Sequence, residues 1–327
     1  MPTPENKIVR ELLARGDGWV SGPELAGKLG MSRVAVWQHL EKLRADGFGF
    51  EARRAKGYRL SARPAGLHAV LIEAQLKIRP RGFSLTLLDQ VDSTNDEAAR
   101  ELAADRPAPF VILARRQTQG RGRFGRAWHS ADNGNLYASF AFRPRVAPDS
   151  MQTFTLWMGA NICEAIANFT GLAPGLKWPN DIVFDGRKAG GMLTEARVDA
   201  DQIRDLVFGL GLNVNSPAEN WPDALARRAV SLAELAGAPL DFNRLTAALI
   251  GRVLLAYQSF VDRDHGRKFA ELWNRYDTLR GRRAAVLEGG SRYVGSVTGI
   301  DDEGALVLRD ERGRSRRFRA GEVTLEK

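Results

Sequence analysis

The sequence predicts an α+β chain in three parts: an N-terminal winged helix-turn-helix, a central mixed α/β domain and a C-terminal SH3-like β-barrel. Three observations predict it. The 327 residues exceed one ordinary domain, and a hydrophobic fraction of 44% suffices for a packed core in each part. Apolar residues recur at helical spacing near the N-terminus, while short strand-like runs divided by glycine turns fill residues 283–319. Between these regions strand-like runs mix with long helical stretches, without an internal repeat.

Residues 7–46 read as three short helices. In the first, residues 7–15, Ile8, Leu12 and Leu13 share a face, and Gly16-Asp17-Gly18 stops it. Ser21, followed three residues later by Glu24, caps the second, which turns Leu25, Ala26 and Leu29 inward. A Gly30-Met31 turn leads to the third, capped by Ser32, where Val36, Leu40 and Leu43 recur at i, i+4 and i+7. Burial of that face leaves Arg33, Gln38 and Lys42 pointing outward. Residues 48–60 then form two short strands around a basic tip, with four basic residues and one acid, a local charge of +3. A helix-turn-helix followed by a basic hairpin makes a winged-helix DNA-binding unit. Its third helix, with Ser32, Arg33, Gln38 and Lys42, lies in the major groove, and Arg53, Arg54 and Lys56 reach phosphates or the minor groove. A three-helix interaction module with a solvated charged face is the competing reading.

Ser61-Ala62-Arg63-Pro64-Ala65-Gly66 reads as a linker, and residues 67–76 as a short helix. The central region then offers strands at 84–88, 109–114, 136–142, 181–184, 190–197 and 204–211, and helices at 94–104, 151–170 and 241–262. Four further strands, at 283–288, 291–300, 305–309 and 315–319, are separated by turns at Gly289-Gly290, Asp301-Asp302-Glu303-Gly304 and Arg312-Gly313. The implied domains are residues 1–62, 67–276 and 277–327.

Lys and Arg number 48 against 39 acidic residues, a net charge of +9 that favours polyanionic partners such as nucleic acid or nucleotides. The single cysteine, Cys163, excludes an intramolecular disulfide; its flanks resemble a helix interior, which fits a buried thiol better than a nucleophile. No Cys/His cluster offers a zinc site. The first residues lack the apolar stretch of a signal peptide, and no segment reaches the ~20 apolar residues of a membrane span, so the expectation is a soluble, cytoplasmic protein with no membrane partner.

The densest chemistry lies in Gln117-Thr118-Gln119-Gly120-Arg121-Gly122-Arg123-Phe124-Gly125-Arg126-Ala127-Trp128, where three glycines alternate with three arginines ahead of an aromatic residue. Glycine lets main-chain N–H groups approach a ligand, and guanidinium forks grip phosphate or carboxylate. Such runs also occur in disordered RNA-binding tails, but this one lies between two strand-like segments. Asp92-Ser93-Thr94-Asn95 precedes a helix, as a simple cap would, and also supplies short polar groups for a neutral ligand such as a ureido ring. In Lys177-Trp178-Pro179-Asn180-Asp181, Asn180 and Asp181 suit orientation of phosphates or Mg²⁺, or polarisation of a nucleophile; a polar turn is the alternative. Lys188, directly before Ala189-Gly190-Gly191, neutralises developing negative charge if its pocket is dry and is a solvated turn residue otherwise. Gly209-Leu210-Gly211-Leu212-Asn213 ends a strand with small residues that admit a ligand, and Asn213 can contact a nucleotide. Together Arg121, Arg123 and Lys188, with Asp181 as metal or general-base partner, suit activation of a carboxylate by ATP. The Walker pattern of a P-loop is not present.

In these motifs, in their order, and in the flanking winged helix and small barrel, the chain resembles the bifunctional biotin protein ligases, the biotin-operon repressors of bacteria, over essentially its whole length. The resemblance implies that biotin and MgATP form biotinyl-5′-AMP and pyrophosphate. A lysine of a biotin carboxyl carrier protein, that of acetyl-CoA carboxylase, then takes the biotin and releases AMP. It places Ser93, Thr94, Asn95 and Gln117 around the biotin head group, with Arg121, Gly122 and Arg123 over the adenylate. Trp128 packs at the adenine, Lys188 holds the biotinyl carbonyl or phosphate, and Arg126, Asn180 and Asn213 serve the nucleotide, with Asp181 reaching Mg²⁺ through ATP. It further implies operator DNA as a partner and a ligand-promoted homodimer. Phe124 departs from the pattern, standing where some relatives carry a further arginine. Three alternatives stand beside this reading: a lipoate or octanoate ligase of the same fold, a ligand-sensing repressor with little turnover, and a ligase whose winged helix has lost its operator.

Overall fold

The computed structural model describes residues 3–130 and 134–326 and divides into two compact units, Met1–Arg79 with Asp241–Ile250, and Pro80–Leu240 with Gly251–Lys327. In the first unit α1 (Pro4–Ala14), α2 (Gly22–Leu29) and α3 (Arg33–Ala45) precede the hairpin β1 (Gly49–Arg53) and β2 (Gly57–Ala62), followed by α4 (Ala69–Gln75). Each of the first three helices starts at a hydroxyl cap: Thr3, Ser21 and Ser32 accept from the main-chain N–H three residues on. Ile8, Leu12, Leu25, Val36, Leu40 and Leu43 bury the shared face, and Leu71 and Ala74 of α4 join the same core.

In the second unit the order is β3 (Ser84–Val91), α5 (Thr94–Ala103), β4 (Phe110–Gln117), β5 (Asn135–Phe142), α6 (Phe154–Thr170), β6 (Gly175–Lys177), β7 (Asp181–Phe184), β8 (Arg187–Asp199) and β9 (Gln202–Asn213). Short helices α7 (Asp223–Ala226) and α8 (Leu232–Ala236), then α9 (Phe242–Val261), whose residues up to Ile250 count with the first unit, and α10 (Gly266–Tyr276), lead to β10 (Arg283–Glu288), β11 (Ser291–Ile300), β12 (Leu306–Arg309), β13 (Ser315–Phe318) and β14 (Glu322–Leu325). Seven strands make a mixed sheet in the order β3-β4-β5-β9-β8-β7-β6. Only the β3–β4 pair is parallel, because α5 crosses over between them; the other neighbours are antiparallel. The C-terminal strands form an all-antiparallel sheet in the order β13-β12-β11-β10-β14.

The expected strands and helices of the central region are all present, and the fold class is as expected. Five of these elements were not anticipated: α7, α8, α10, the three-residue β6 and the final β14. Beneath the large sheet, the edge of Phe154 meets Phe208 at 5.9 Å and Phe260 at 5.2 Å between ring centroids, anchoring α6 and α9. No described helix is long and apolar enough to cross a membrane.

Candidate functional site

A cleft of about 500 Å³ opens over β8 and β9, where strand ends, the α5 N-terminus and the glycine–arginine loop converge. It is lined by Ser93, Thr94, Asn95, Gln117, Arg121, Gly122, Arg123, Arg126, Trp128, Asn180, Asp181 and Lys188, so segments spread over almost a hundred residues of sequence meet in one place.

One end is a bed of neutral polar groups. Ser93 caps α5, and its neighbours Thr94 and Asn95 are buried in the first turn. Gln117 Oε1 accepts from the Thr94 main-chain N–H at 2.8 Å, which fixes the orientation of that amide, and lies 3.0 Å from Thr94 Oγ1. Ser139 Oγ lies 2.8 Å from Thr94 Oγ1 and 2.6 Å from Asn95 Oδ1. Asn95 Nδ2 donates to Glu195 at 2.7 Å, so its oxygen must face Ser139. The two hydroxyls have two protons for these three oxygen–oxygen contacts, which leaves the bed short of a donor. A ligand that brings N–H groups completes it. Gly209 is required here: a Cβ would stand 2.3 Å from Asn95 Oδ1.

The other end is charged. Lys188 Nζ pairs with Asp181 at 2.6 Å and sits 5.3 Å from the Trp128 ring. The indole lies flat on bare backbone, since a Cβ would come within 2.6 Å of it at Gly211 and 2.9 Å at Gly191. The Trp128 indole N–H is buried without a partner among the described residues. Burial pushes the Arg123 guanidinium and the Lys177 ammonium below their ordinary values, so an arriving anion would relieve both. Asn180 donates to Met192 O at 2.6 Å, pinning the turn that carries Asp181.

The loop itself is a small hairpin. Arg126 N–H donates to Arg123 O at 3.2 Å around Phe124 and Gly125, both at positive φ (57° and 69°), the signature of a type I′ turn. Gly122 N–H donates to Arg126 O at 2.7 Å and Trp128 N–H to Gly120 O at 2.8 Å. Arg123 donates to Gly321 O at 3.3 Å and Arg126 pairs with Glu322, which ties the loop to β14 and its preceding turn. Phe124 remains 65% exposed at the tip, with the Arg123 guanidinium 4.7 Å over its ring.

Two expected ligands stand differently. Asn213 does not line the cleft: it is buried, and its amide donates to the main-chain oxygens of Lys188 at 3.3 Å and Val230 at 3.1 Å. Arg121 lines the cleft, but its guanidinium is already held by the Asp96 and Glu195 carboxylates, which raise its pKa. Residues that sequence reasoning missed include Tyr137, Arg228 and the stretch Gly321, Glu322, Val323 and Thr324. They come from separate elements and share no local motif. Among the described residues no three His, Cys, Asp or Glu side chains cluster to hold a metal ion.

In the winged-helix unit Arg33, Gln38, Arg54 and Lys56 are exposed, and Ser32 is both exposed and the α3 cap. Lys42 is exposed yet donates to the buried Glu5 at 2.9 Å, and Arg53 lies 5.1 Å over the Trp19 ring. Val34 and Trp37, 64% and 51% exposed, stand on α3 among these groups and were not anticipated.

Comparison with known proteins decides the family. The chain is 36% identical over 305 residues to the bifunctional ligase/repressor BirA of Bacillus spizizenii, across 91% of each chain. It belongs to the bifunctional ligase/repressor family. Family models agree along the length: an HTH domain at residues 4–59, the biotin/lipoate A/B protein ligase family at 87–213, and the biotin protein ligase C-terminal domain at 281–325. The biotin–[acetyl-CoA-carboxylase] ligase of Mycobacterium tuberculosis is 33% identical over 245 residues, covering 73% of this chain and 88% of its own. Among solved structures, the biotin protein ligase from Aquifex aeolicus in complex with biotin and ATP matches with TM-score 0.63 at 27% identity, covering 75% of this chain and 99% of that one. In this ligase/repressor most of the cleft's lining lies within the span of the family's ligase model, with Gly321, Glu322, Val323 and Thr324 in the C-terminal one and Arg228 between the two.

Proposed function

We propose that this cleft joins biotin to ATP and hands the biotinyl group to a carrier lysine. A carboxylate oxygen of biotin attacks the α-phosphorus of ATP; the bond from that phosphorus to the bridging oxygen breaks, and pyrophosphate leaves. The neutral ε-amine of the carrier then attacks the acyl carbon, the bond to the AMP oxygen breaks, and the amine proton passes to solvent. Ser93, Thr94, Asn95 and Gln117 hold the ureido ring, whose N–H groups supply the donors that the bed lacks. A dithiolane or an alkyl chain offers no such donor, which weighs against lipoate or octanoate.

Lys188 and Arg123 face the carboxyl and α-phosphate and stabilise the charge that builds between them, as fixed cations in a partly desolvated site do. Gly122, Asn180 and Trp128 serve the nucleotide, and Arg126 acts through its pair with Glu322, which holds the loop. Asn213 acts through Lys188, whose main chain it holds. For Mg²⁺ the donor set fits: one carboxylate, Asp181, beside substrate phosphates is the usual arrangement, and the ion neutralises phosphate charge when bound. Residues 67–276 carry this chemistry. Residues 1–62 bind operator DNA through α3 and the wing, adenylate promotes a homodimer, and the carrier is that of acetyl-CoA carboxylase.

The observation that carries the reading is the meeting of the donor-poor bed and the Arg123–Lys188 end in one cleft of a chain from this family. Transfer of labelled biotin to a purified carrier domain, with and without ATP, tests it. Labelling that requires ATP and disappears in Arg123→Ala is expected; labelling that is absent, or indifferent to ATP, overturns it.

A further inference from the structure

The glycine–arginine loop would be expected to spend all its arginines on the ligand, yet Arg121 is committed elsewhere. Its Nε and Nη2 donate to Asp96 at 3.2 and 2.5 Å, and its Nη1 and Nη2 donate to Glu195 at 2.9 and 3.0 Å. Both edges of the fork are therefore bidentate, and no edge is left to grip a phosphate without breaking a pair. Two carboxylates neutralise one guanidinium, so the local charge favours retention of these pairs over capture of a triphosphate.

The three partners stand on three elements. Asp96 is in the first turn of α5, Glu195 in the middle of β8, and Arg121 on the loop between them. Glu195 also takes the Asn95 amide at 2.7 Å, and Asn95 in turn meets Ser139 in the head-group bed. One carboxylate thus orients a head-group residue and anchors the loop.

We propose that Glu195 and Asp96 are positioning residues which, acting through Arg121, latch the loop over the cleft and set how long biotinyl-AMP is retained, without taking part in its formation. This rests on the reading of the cleft given above. A closed loop keeps a reactive acyl phosphate from water and from escape until an amine arrives. The pairs are a little over one-third exposed, so the latch is salt-sensitive and can reopen for the carrier.

The test uses the full chain. Biotinyl-AMP is formed from labelled biotin and MgATP, excess unlabelled biotinyl-AMP is added, and release is followed for the wild type, Glu195→Gln, Asp96→Asn and the double variant. The glutamine keeps an oxygen for Asn95 while removing the charge. Each single variant should release adenylate roughly three to ten times faster, and the double variant more than tenfold, with formation at saturating substrates changed less than about twofold. Raising ionic strength should speed release from the wild type and leave the double variant nearly unmoved. Unchanged release in both single variants overturns the latch. So does acceleration accompanied by an equal loss of formation rate and a lower Tm, which is the mark of a merely structural role. If the wild type forms no adenylate, the reading of the cleft itself falls, and that result is distinct from an adenylate whose release ignores both carboxylates.

Discussion

The two ends of the cleft solve recognition by opposite means. At the head-group end Ser93, Thr94, Asn95 and Ser139 are 0–5% exposed, uncharged and short of one hydrogen-bond donor. At the phosphate end Lys188 and Asp181 are 39% and 25% exposed and mutually neutralised, and a ligand must compete for their charges. A buried acceptor without a proton selects for one functional group and penalises every analogue lacking it. A half-exposed ion pair selects weakly, but it supplies charge where a transition state develops it. The first end should therefore govern which acid binds, and the second how fast it reacts.

The largest effect should come from Lys188→Ala. Loss of one fixed donor in such a site lowers the rate by about 10²–10³-fold. Pyrophosphate release from biotin and ATP is expected to fall by that factor while the biotin Kd, measured without ATP, moves no more than a few-fold. Equal losses in both would break the division between the ends.

A buried charge outside the cleft gives the contrasting case. Burial alone would raise the Glu5 carboxyl, but hydrogen bonds from Lys42, from its own backbone and from His39 outweigh it and hold the group at about 2 against an ordinary 4.5. A carboxyl depressed on folding adds stability above its unfolded value and loses it as pH falls from about 4.5 to about 2. The linkage is on the order of 2–3 kcal/mol. Chemical denaturation of the wild type should show that slope, and Glu5→Gln should flatten it; parallel curves would show that Glu5 is not the group responsible.

At the head-group end Ser139→Ala removes a proton from a bed that already lacks one. Biotin should bind about tenfold more weakly, the scale of a buried acceptor left unpaired, with the adenylation rate at saturating biotin preserved. A fall in kcat with Kd intact would reverse the assignment of the two ends.

Much of this was legible in the chain. Runs such as Phe110-Val111-Ile112-Leu113-Ala114 are buried throughout and read as a central strand, while Val36, Leu40 and Leu43 gave α3 by spacing alone. Helix α10 was missed although Phe269, Leu272, Trp273 and Tyr276 carry the i, i+3, i+4, i+7 signal on one face of an otherwise largely charged helix. The glycines at 209 and 211 do admit close neighbours, but these are the protein's own Asn95 and Trp128. Asn213 follows them at the same two-residue period, yet two main-chain oxygens from elsewhere claim its amide at the strand's end. Arg121 was legible as a cation and not as a tether, since Glu195 lies 74 residues away and no local pattern joins them.

The smallest effect should follow Arg126→Ala. Its partner Glu322 is one-third exposed and Arg126 itself two-thirds, so solvent screens the pair and the bond contributes no more than about 1 kcal/mol. Adenylation should change by less than twofold. The ion pair nonetheless links the loop to β14, and the hydrogen bond from the Arg123 guanidinium to Gly321 O, just before β14, is the only other polar tie described there. Limited proteolysis within residues 117–128 should therefore rise in Arg126→Ala without ligands and return to the wild-type level once adenylate fills the cleft. Nicking that stays high with adenylate bound would mean that β14, and not the ligand, holds the loop closed, and the contrast between a selective end and a reactive end would then have to include a third, C-terminal wall.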